Sequence, residues 1–330
     1  MKYKNIVGVC VSIGLAAWII SSYDIGDVLK YLGGADISYL LALPLLFPIN
    51  YLLRAVRWRA LFHADIKPRT GSLLRALMVG YMMNNLLPAR AGDIARIYLL
   101  GRRASISKST VLATVVVEKV GDLLITTCLI AMVLIYLPAS AWIRSGGYVL
   151  AVSSLVGCVV LVLVPVFGDG FQALLARCIR FLPEAIYSRT LAVLGNLISG
   201  IKDGIRPRQI IFFAAYSVVI WALEVLIMLL IARSMGIQLG FMPLLFVMLA
   251  IAVGTMIPSS PGFIGTFEYF SLRALTLVSV TGSAALAFTL FYHAIVLLAT
   301  TLGGLFFVLL PGREKIFELL KRDRAVDHVG

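Results

Sequence analysis

Runs of about 20 apolar residues, two of them broken by proline and glycine, restrict this chain more than any other feature. At about 1.5 Å per helical residue, such a run matches the roughly 30 Å hydrocarbon layer of a bilayer. Six runs are unbroken, at 5–21, 38–62, 110–137, 147–167, 209–232 and 284–310. Two more, at 72–100 and 243–280, are apolar at both ends and interrupted in the middle. The first break is Pro88-Ala89-Arg90-Ala91-Gly92-Asp93 and the second Pro258-Ser259-Ser260-Pro261-Gly262. Only 14% of the residues are charged and 61% are hydrophobic, whereas soluble domains are about 25% charged. The expected class is an all-α polytopic membrane protein.

The basic excess fits that class. The 29 Lys and Arg outnumber the 16 Asp and Glu, and cytoplasmic loops collect basic residues. No basic segment interleaves with exposed aromatics, so nucleic acid is not an expected partner. Cys10, Cys128, Cys158 and Cys178 stand alone and the three His are scattered, so no metal site, disulfide framework or cofactor is expected. Nucleotide-binding, metal–sugar-nucleotide, serine-hydrolase and zinc-protease motifs are missing. The longest polar segment, 168–208, is short for a separate catalytic domain. The chain is therefore not expected to be an enzyme, and no catalytic residue is assigned. The N-terminus has a basic start and an apolar core without a good small-residue cleavage site, so it reads as a retained first span.

Placing basic loops inside puts both termini in the cytoplasm. The assignment is self-consistent if each broken region returns to the side it entered from, the first dipping in from the cytoplasm and the second from outside. Two oppositely oriented re-entrant hairpins imply an inverted repeat, with halves at 38–137 and 209–310. Both breaks fit P-x-x-x-G, at Pro88 to Gly92 and at Pro258 to Gly262. The other reading is that each arm crosses fully. Residues 171–205 have apolar positions at helical spacing with basic residues between them, which fits interfacial amphipathic helices; a plain cytoplasmic linker is the alternative. Residues 311–330 form a basic cytoplasmic tail.

Charges at membrane depth are costly, by about 2.5–3.5 kcal/mol each on the insertion scale. The first hairpin carries Arg90, Asp93 and Arg96. Asp93 is expected to cap the helix starting near Ile94, leaving Arg90 and Arg96 at a helix N-terminus suited to an anion such as a lipid phosphate. The alternative is that Arg90 pairs with Asp93 or another acid and locks the hairpin. Glu118 and Asp122 are four apart and share a helix face. At about 1.5 Å per residue, Asp122 lies about 18 Å deep. Together they read as a proton or substrate-amine site, or as ion-pair partners of Arg54, Arg90 or Arg96. Arg54 and Arg57 share a face beside Trp58, as interfacial anchors or as phosphate contacts. Pro88, Gly92, Pro258, Pro261 and Gly262 are candidate hinges. Ser259, Ser260 and Glu268 complete the second break, the alternative for Glu268 being to balance a helix dipole. Asp122, Glu224 and His293 are candidate proton carriers, the alternative for His293 being a hydrogen-bonded packing role.

Four motifs occur in order: R-x-x-R-W at 54–58, N-x-L-P-x-R-x-G-D at 85–93, E-K-x-x-D at 118–122 and P-S-S-P-G-x-x-G-x-x-E at 258–268. Together they resemble the transmembrane-region family of lysylphosphatidylglycerol synthases, also described as flippase-like, over about residues 5–312. The resemblance implies movement of a lipid between leaflets. It carries over to Arg90, Gly92 and Asp93, to Glu118 and Asp122, and to Pro258, Pro261, Gly262 and Glu268. The expected partners are membrane lipids: an anionic or aminoacylated phospholipid or another modified lipid. The expected location is the bacterial inner membrane. The rival expectation is a non-catalytic membrane subunit that docks a lipid-modifying transferase and delivers lipid to it. A homo-oligomer is compatible with either.

Overall fold

The computed structural model describes residues 24–66, 68–88, 90–136, 207–256, 260–280 and 282–310, with scattered positions between 152 and 198. The expected span at 5–21, most of that at 147–167, most of the amphipathic segment 171–205 and the tail 311–330 lie outside the described residues. So do Pro258 and Ser259.

The described residues are helical, with no strand among them. In chain order the helices are α1 (Ile25–Gly33), α2 (Leu43–Ala60), α3 (Thr70–Leu86), α4 (Ala91–Ala104), α5 (Lys108–Tyr136), α6 (Pro207–Ser234), α7 (Phe241–Met256), α8 (Thr266–Leu277) and α9 (Gly282–Leu309). A 3-10 segment, Ile37–Ala42, leads into α2. Among the described residues, three helices are long and apolar enough to cross a membrane: Ile37–Ala60, Arg208–Ser234 and Gly282–Leu309. Helix α5, with 29 residues, is about 43 Å long, but holds Glu118, Lys119 and Asp122 in its middle.

The chain falls into two compact units. Unit 1 takes residues 1–51, 74–99 and 222–330; unit 2 takes 52–73 and 100–221.

In unit 1, Asp24 caps α1 by accepting from Gly26 N at 2.7 Å. Asp36 caps the 3-10 segment by accepting from Ser38 N at 2.9 Å. Helix α1 packs against α9, and α8 packs against both α7 and α9. Small residues set the closest approaches, as is usual where apolar helices pack without help from water. A Cβ on Gly304 would stand 2.4 Å from Met82 Cβ, and one on Gly254 2.4 Å from the Phe270 ring. Helices α3 and α4 meet at Gly80 and Gly92, where a Cβ on Gly92 would fall 1.8 Å from Gly80 O.

In unit 2, Trp58 is fully buried and its indole N–H donates to Thr114 Oγ1 at 3.0 Å. That satisfies the ring's only polar atom and turns the 57–58 face of α2 inward. The amide of Gln209, on α6, donates to Phe62 O at 3.2 Å.

Candidate functional site: the two breaks and a buried arginine

Unit 1 brings the two sequence breaks together. Helix α3 ends at Leu86 and α4 starts at Ala91, so the first break is confined to about the Leu87–Arg90 turn. Arg90 has φ 53 and Phe263, in the second break, has φ 60. Left-handed backbone at a side-chain-bearing residue costs about 1–2 kcal/mol, and surrounding contacts must hold it there. The two strained residues hold one another. The Arg90 guanidinium lies over the Phe263 ring, 5.6 Å from its centroid, and Nη2 donates to Thr255 O near the end of α7. That carbonyl carries partial negative charge as part of a helix C-terminus. Arg90 Nε is buried without a hydrogen-bond partner, and no carboxylate among the described residues pairs with this side chain. The expected alternative, an Arg90 locked by Asp93 or another acid, is therefore replaced by a carbonyl and an aromatic face.

Asn84 and Asn85 fasten the first break from opposite sides. Asn84 Oδ1 accepts from Gly92 N at 2.8 Å. Asn85 Nδ2 donates to Thr300 Oγ1 at 2.7 Å and Thr301 Oγ1 at 3.0 Å on α9. Gly92, expected as a hinge, sits in the first turn of α4 at the crossing with Gly80, a position set by packing. Asp93 does not cap α4 as expected. The helix starts earlier, and Asp93 N already donates to Arg90 O at 3.0 Å. Its carboxylate instead lies 3.7 Å from Arg96 Nε, three residues on. Pro88 is in the irregular turn itself.

The second break is built on glycine. Gly262 has φ 68 and Gly265 φ 91, conformations open to glycine without strain. Pro261 opens a single 3-10 turn, Pro261–Phe263, and the Ser260 hydroxyl bridges it by donating to Ile264 O at 2.9 Å. Glu268 accepts from Gly265 N at 2.6 Å, so its expected place at a helix N-terminus is its observed one. Its second oxygen lies 2.6 Å from His293 Nδ1 on α9, and His293 Nε2 lies 2.9 Å from Gly262 O. Phe267 stacks flat on the imidazole at 3.9 Å. Both Glu268 and His293 are buried.

Unit 2 holds a separate charged cluster. Arg57 is 1% exposed. Its Nη1 donates to Asp122 Oδ1 at 2.6 Å and to Ser217 Oγ at 2.9 Å. Its Nη2 donates to Asp122 Oδ2 at 3.1 Å and to Glu118 Oε1 at 3.4 Å. The guanidinium carbon stands 4.6 Å from the Phe213 ring centroid. Arg57 is thus no interfacial anchor, and it pairs with Asp122 in place of the expected Arg54, Arg90 or Arg96. A fork-shaped guanidinium on a carboxylate gives two parallel bonds, and Ser217 takes a third donor. Arg54 is half-buried one turn earlier on α2. Glu224, on the part of α6 that belongs to unit 1, is half-buried.

Unit 1 also contains an apolar groove of about 610 Å³ whose lining includes Leu43, Phe47, Pro48, Met78, Leu298 and Phe307. Pro48 lies inside α2, where it removes one backbone hydrogen bond. Met78 stands seven residues before Asn85 on α3, about 10 Å along the helix from the first break.

No solved structure matches the chain. It is 26% identical to Glycosyltransferase AglD of Haloferax volcanii over 313 residues, which cover 85% of this chain and 50% of that protein. The chain thus spans about half the length of that relative. It is 26% identical to a UPF0104 membrane protein of Pyrococcus horikoshii, over 91% of this chain and 94% of the relative. A UPF0104 membrane protein of Methanothermobacter thermautotrophicus is 24% identical, over 88% and 90%. The family described as the lysylphosphatidylglycerol synthase TM region matches residues 5–304. The sequence motifs, the apolar helices and this match agree: the chain is an integral membrane protein and belongs to the lysylphosphatidylglycerol synthase transmembrane-region family.

Proposed function

We propose that this protein moves a lipid with a charged headgroup between the leaflets of its membrane. Arg90 carries the reading. A cation at membrane depth is costly unless something compensates it, and this half-buried one meets a carbonyl and a ring where a carboxylate would be expected, with a buried Nε still free to donate. A lipid phosphate supplies the missing negative charge and accepts charge-assisted hydrogen bonds. The groove beside α3 and α9 would take an acyl chain, since its volume is in the range of small-molecule sites.

Arm lengths support the hairpin reading of both breaks. Helices α3, α4, α7 and α8 have 17, 14, 16 and 12 residues, fewer than the roughly 20 of a full crossing. In this reading the breaks are the moving parts, Pro261 and Gly262 flex in the second, and a headgroup bound at Arg90 is exposed to each side in turn. Asp122 and Glu118, tied to Arg57, hold unit 2 together or take part in the same cycle. The membrane assigned is the cytoplasmic one. Its bacterial identity rests on the sequence expectation, since the relatives named above are archaeal. No catalytic step is part of the proposal.

The half-length match to a protein named as a glycosyltransferase favours one second reading: a membrane subunit that presents lipid to a separate lipid-modifying enzyme. Arg90→Ala separates the headgroup site from mere bulk. The purified variant should bind anionic lipid vesicles at least tenfold more weakly than the parent while staying folded, with a melting point lowered only by the loss of the contacts to Phe263 and Thr255. Equal binding with an intact fold would remove Arg90 from the site.

A further inference from the structure

The Glu268–His293 pair can be counted in protons. A backbone carbonyl only accepts hydrogen bonds, so the Nε2 atom facing Gly262 O must carry a hydrogen. Nδ1 faces a carboxyl oxygen at 2.6 Å. Two lone pairs at that distance would repel, so one further proton lies between them, on nitrogen or on oxygen. Imidazolium with carboxylate and imidazole with carboxylic acid both have zero net charge. The observed contact is therefore the singly loaded state. The other Glu268 oxygen is occupied by Gly265 N at 2.6 Å, and the imidazole face is covered by Phe267.

We propose that Glu268 and His293 form a proton-binding site, and that the proton they share clamps the second break to α9 through Gly262 O. Loss of that proton to water breaks one N–H or O–H bond and oxidises nothing. It leaves a carboxylate against an imidazole lone pair, with one negative charge in a buried site. The imidazole then swings from Glu268, and the bond to Gly262 goes with it. The break keeps its own turn but loses its attachment.

The surroundings add no rival base within the described contacts. Helix α7 carries no ionisable residue. On α8, Arg273 lies over Tyr269, 5.6 Å from the ring centroid. On α9, the Tyr292 ring packs on Phe267 at 5.8 Å. Helix α1, against α9, offers Tyr31 and the Asp27–Lys30 pair, closed at 2.8 Å. Helix α3 brings Tyr81 and Arg75, the latter reaching Leu310 O at the far end of α9. Arg90 lies over Phe263, next to Gly262.

The clamp belongs to the second break itself, whatever the cargo is. Glu268→Gln tests it. The Gln oxygen can still accept from Gly265 N and its NH₂ can still donate to Nδ1, so the variant copies the protonated acid and cannot release the proton. Amide hydrogen exchange would be followed across peptides covering 260–269 in the full-length protein, between about pH 5 and pH 10, after correction for the intrinsic pH dependence. Parent protection should fall at least tenfold as the pH rises, while that of Glu268→Gln stays level. Should Glu268→Gln fail to fold, His293→Gln, which keeps a donor for Gly262 O and cannot titrate, takes its place with the same expectation. Parent protection that is level with pH, or that falls equally in the variant, overturns the proposal.

Discussion

Replacing Arg57 with methionine should destabilise the protein by an amount that the geometry sets. Methionine keeps an unbranched side chain against Phe213 but removes the guanidinium from Asp122 and Glu118. Asp122 has a side-chain exposure of 26% and Glu118 of 7%, so neither carboxylate regains much water. Breaking a buried pair from one side costs about 3–5 kcal/mol, because it strands the other charge. At the low end of the usual conversion, about 2 °C per kcal/mol for larger chains, the melting midpoint in detergent should drop by about 6–10 °C. Neutralising all the partners should recover most of the loss, since a buried ion cluster and a neutral one of like volume often differ little in stability. The triple variant Arg57→Met, Glu118→Gln, Asp122→Asn is therefore expected to melt well above Arg57→Met alone. A single variant within about 2 °C of the parent would refute the strongly coupled pair. A triple variant as unstable as the single one would trace the loss to packing around the arginine stem instead of charge.

Two further substitutions probe the first break. Gly92→Ala should cost about 1–3 kcal/mol, the range for an overpacked contact, because its Cβ would meet the Gly80 carbonyl at 1.8 Å; Gly80→Ala, whose Cβ stands 3.0 Å from Gly92 O, should cost less in the same thermal melt. Asn85→Leu removes the bonds to Thr300 and Thr301. At about 1 kcal/mol for each, it should lower stability by about 2 kcal/mol, and a melting point equal to the parent's would show that these bonds are not made.

Much of the framework is legible in the sequence because one solvent constraint dominates it. A helix must supply its own backbone hydrogen bonds in hydrocarbon, so apolar run lengths translate almost directly into helices. The run at 209–232 lies within α6 at Pro207–Ser234, and that at 284–310 closely matches α9 at Gly282–Leu309. Proline and glycine mark both breaks for equally local reasons. The partners are another matter. Glu118 and Asp122 share a face as helical spacing requires, yet their arginine lies 65 residues from Asp122 and nothing local selects Arg57 over Arg54. His293 and Glu268 belong to different helices, 25 residues apart, and no spacing rule joins them. Pro88 and Gly92 favour a later helix start with Asp93 as its cap, but Arg90 accepts the left-handed turn that lets α4 start at Ala91. That conformation is unusual for arginine, and only its contacts with Phe263 and Thr255 explain it.

Lipid movement between leaflets can be followed in proteoliposomes holding the full-length protein, with headgroup-labelled anionic and amine-bearing lipids and a quencher confined to the outer leaflet. Transfer should require the protein and fall at least tenfold in Arg90→Ala, with the variant still folded. Transfer that is absent for every headgroup, or equal in the variant, would contradict it.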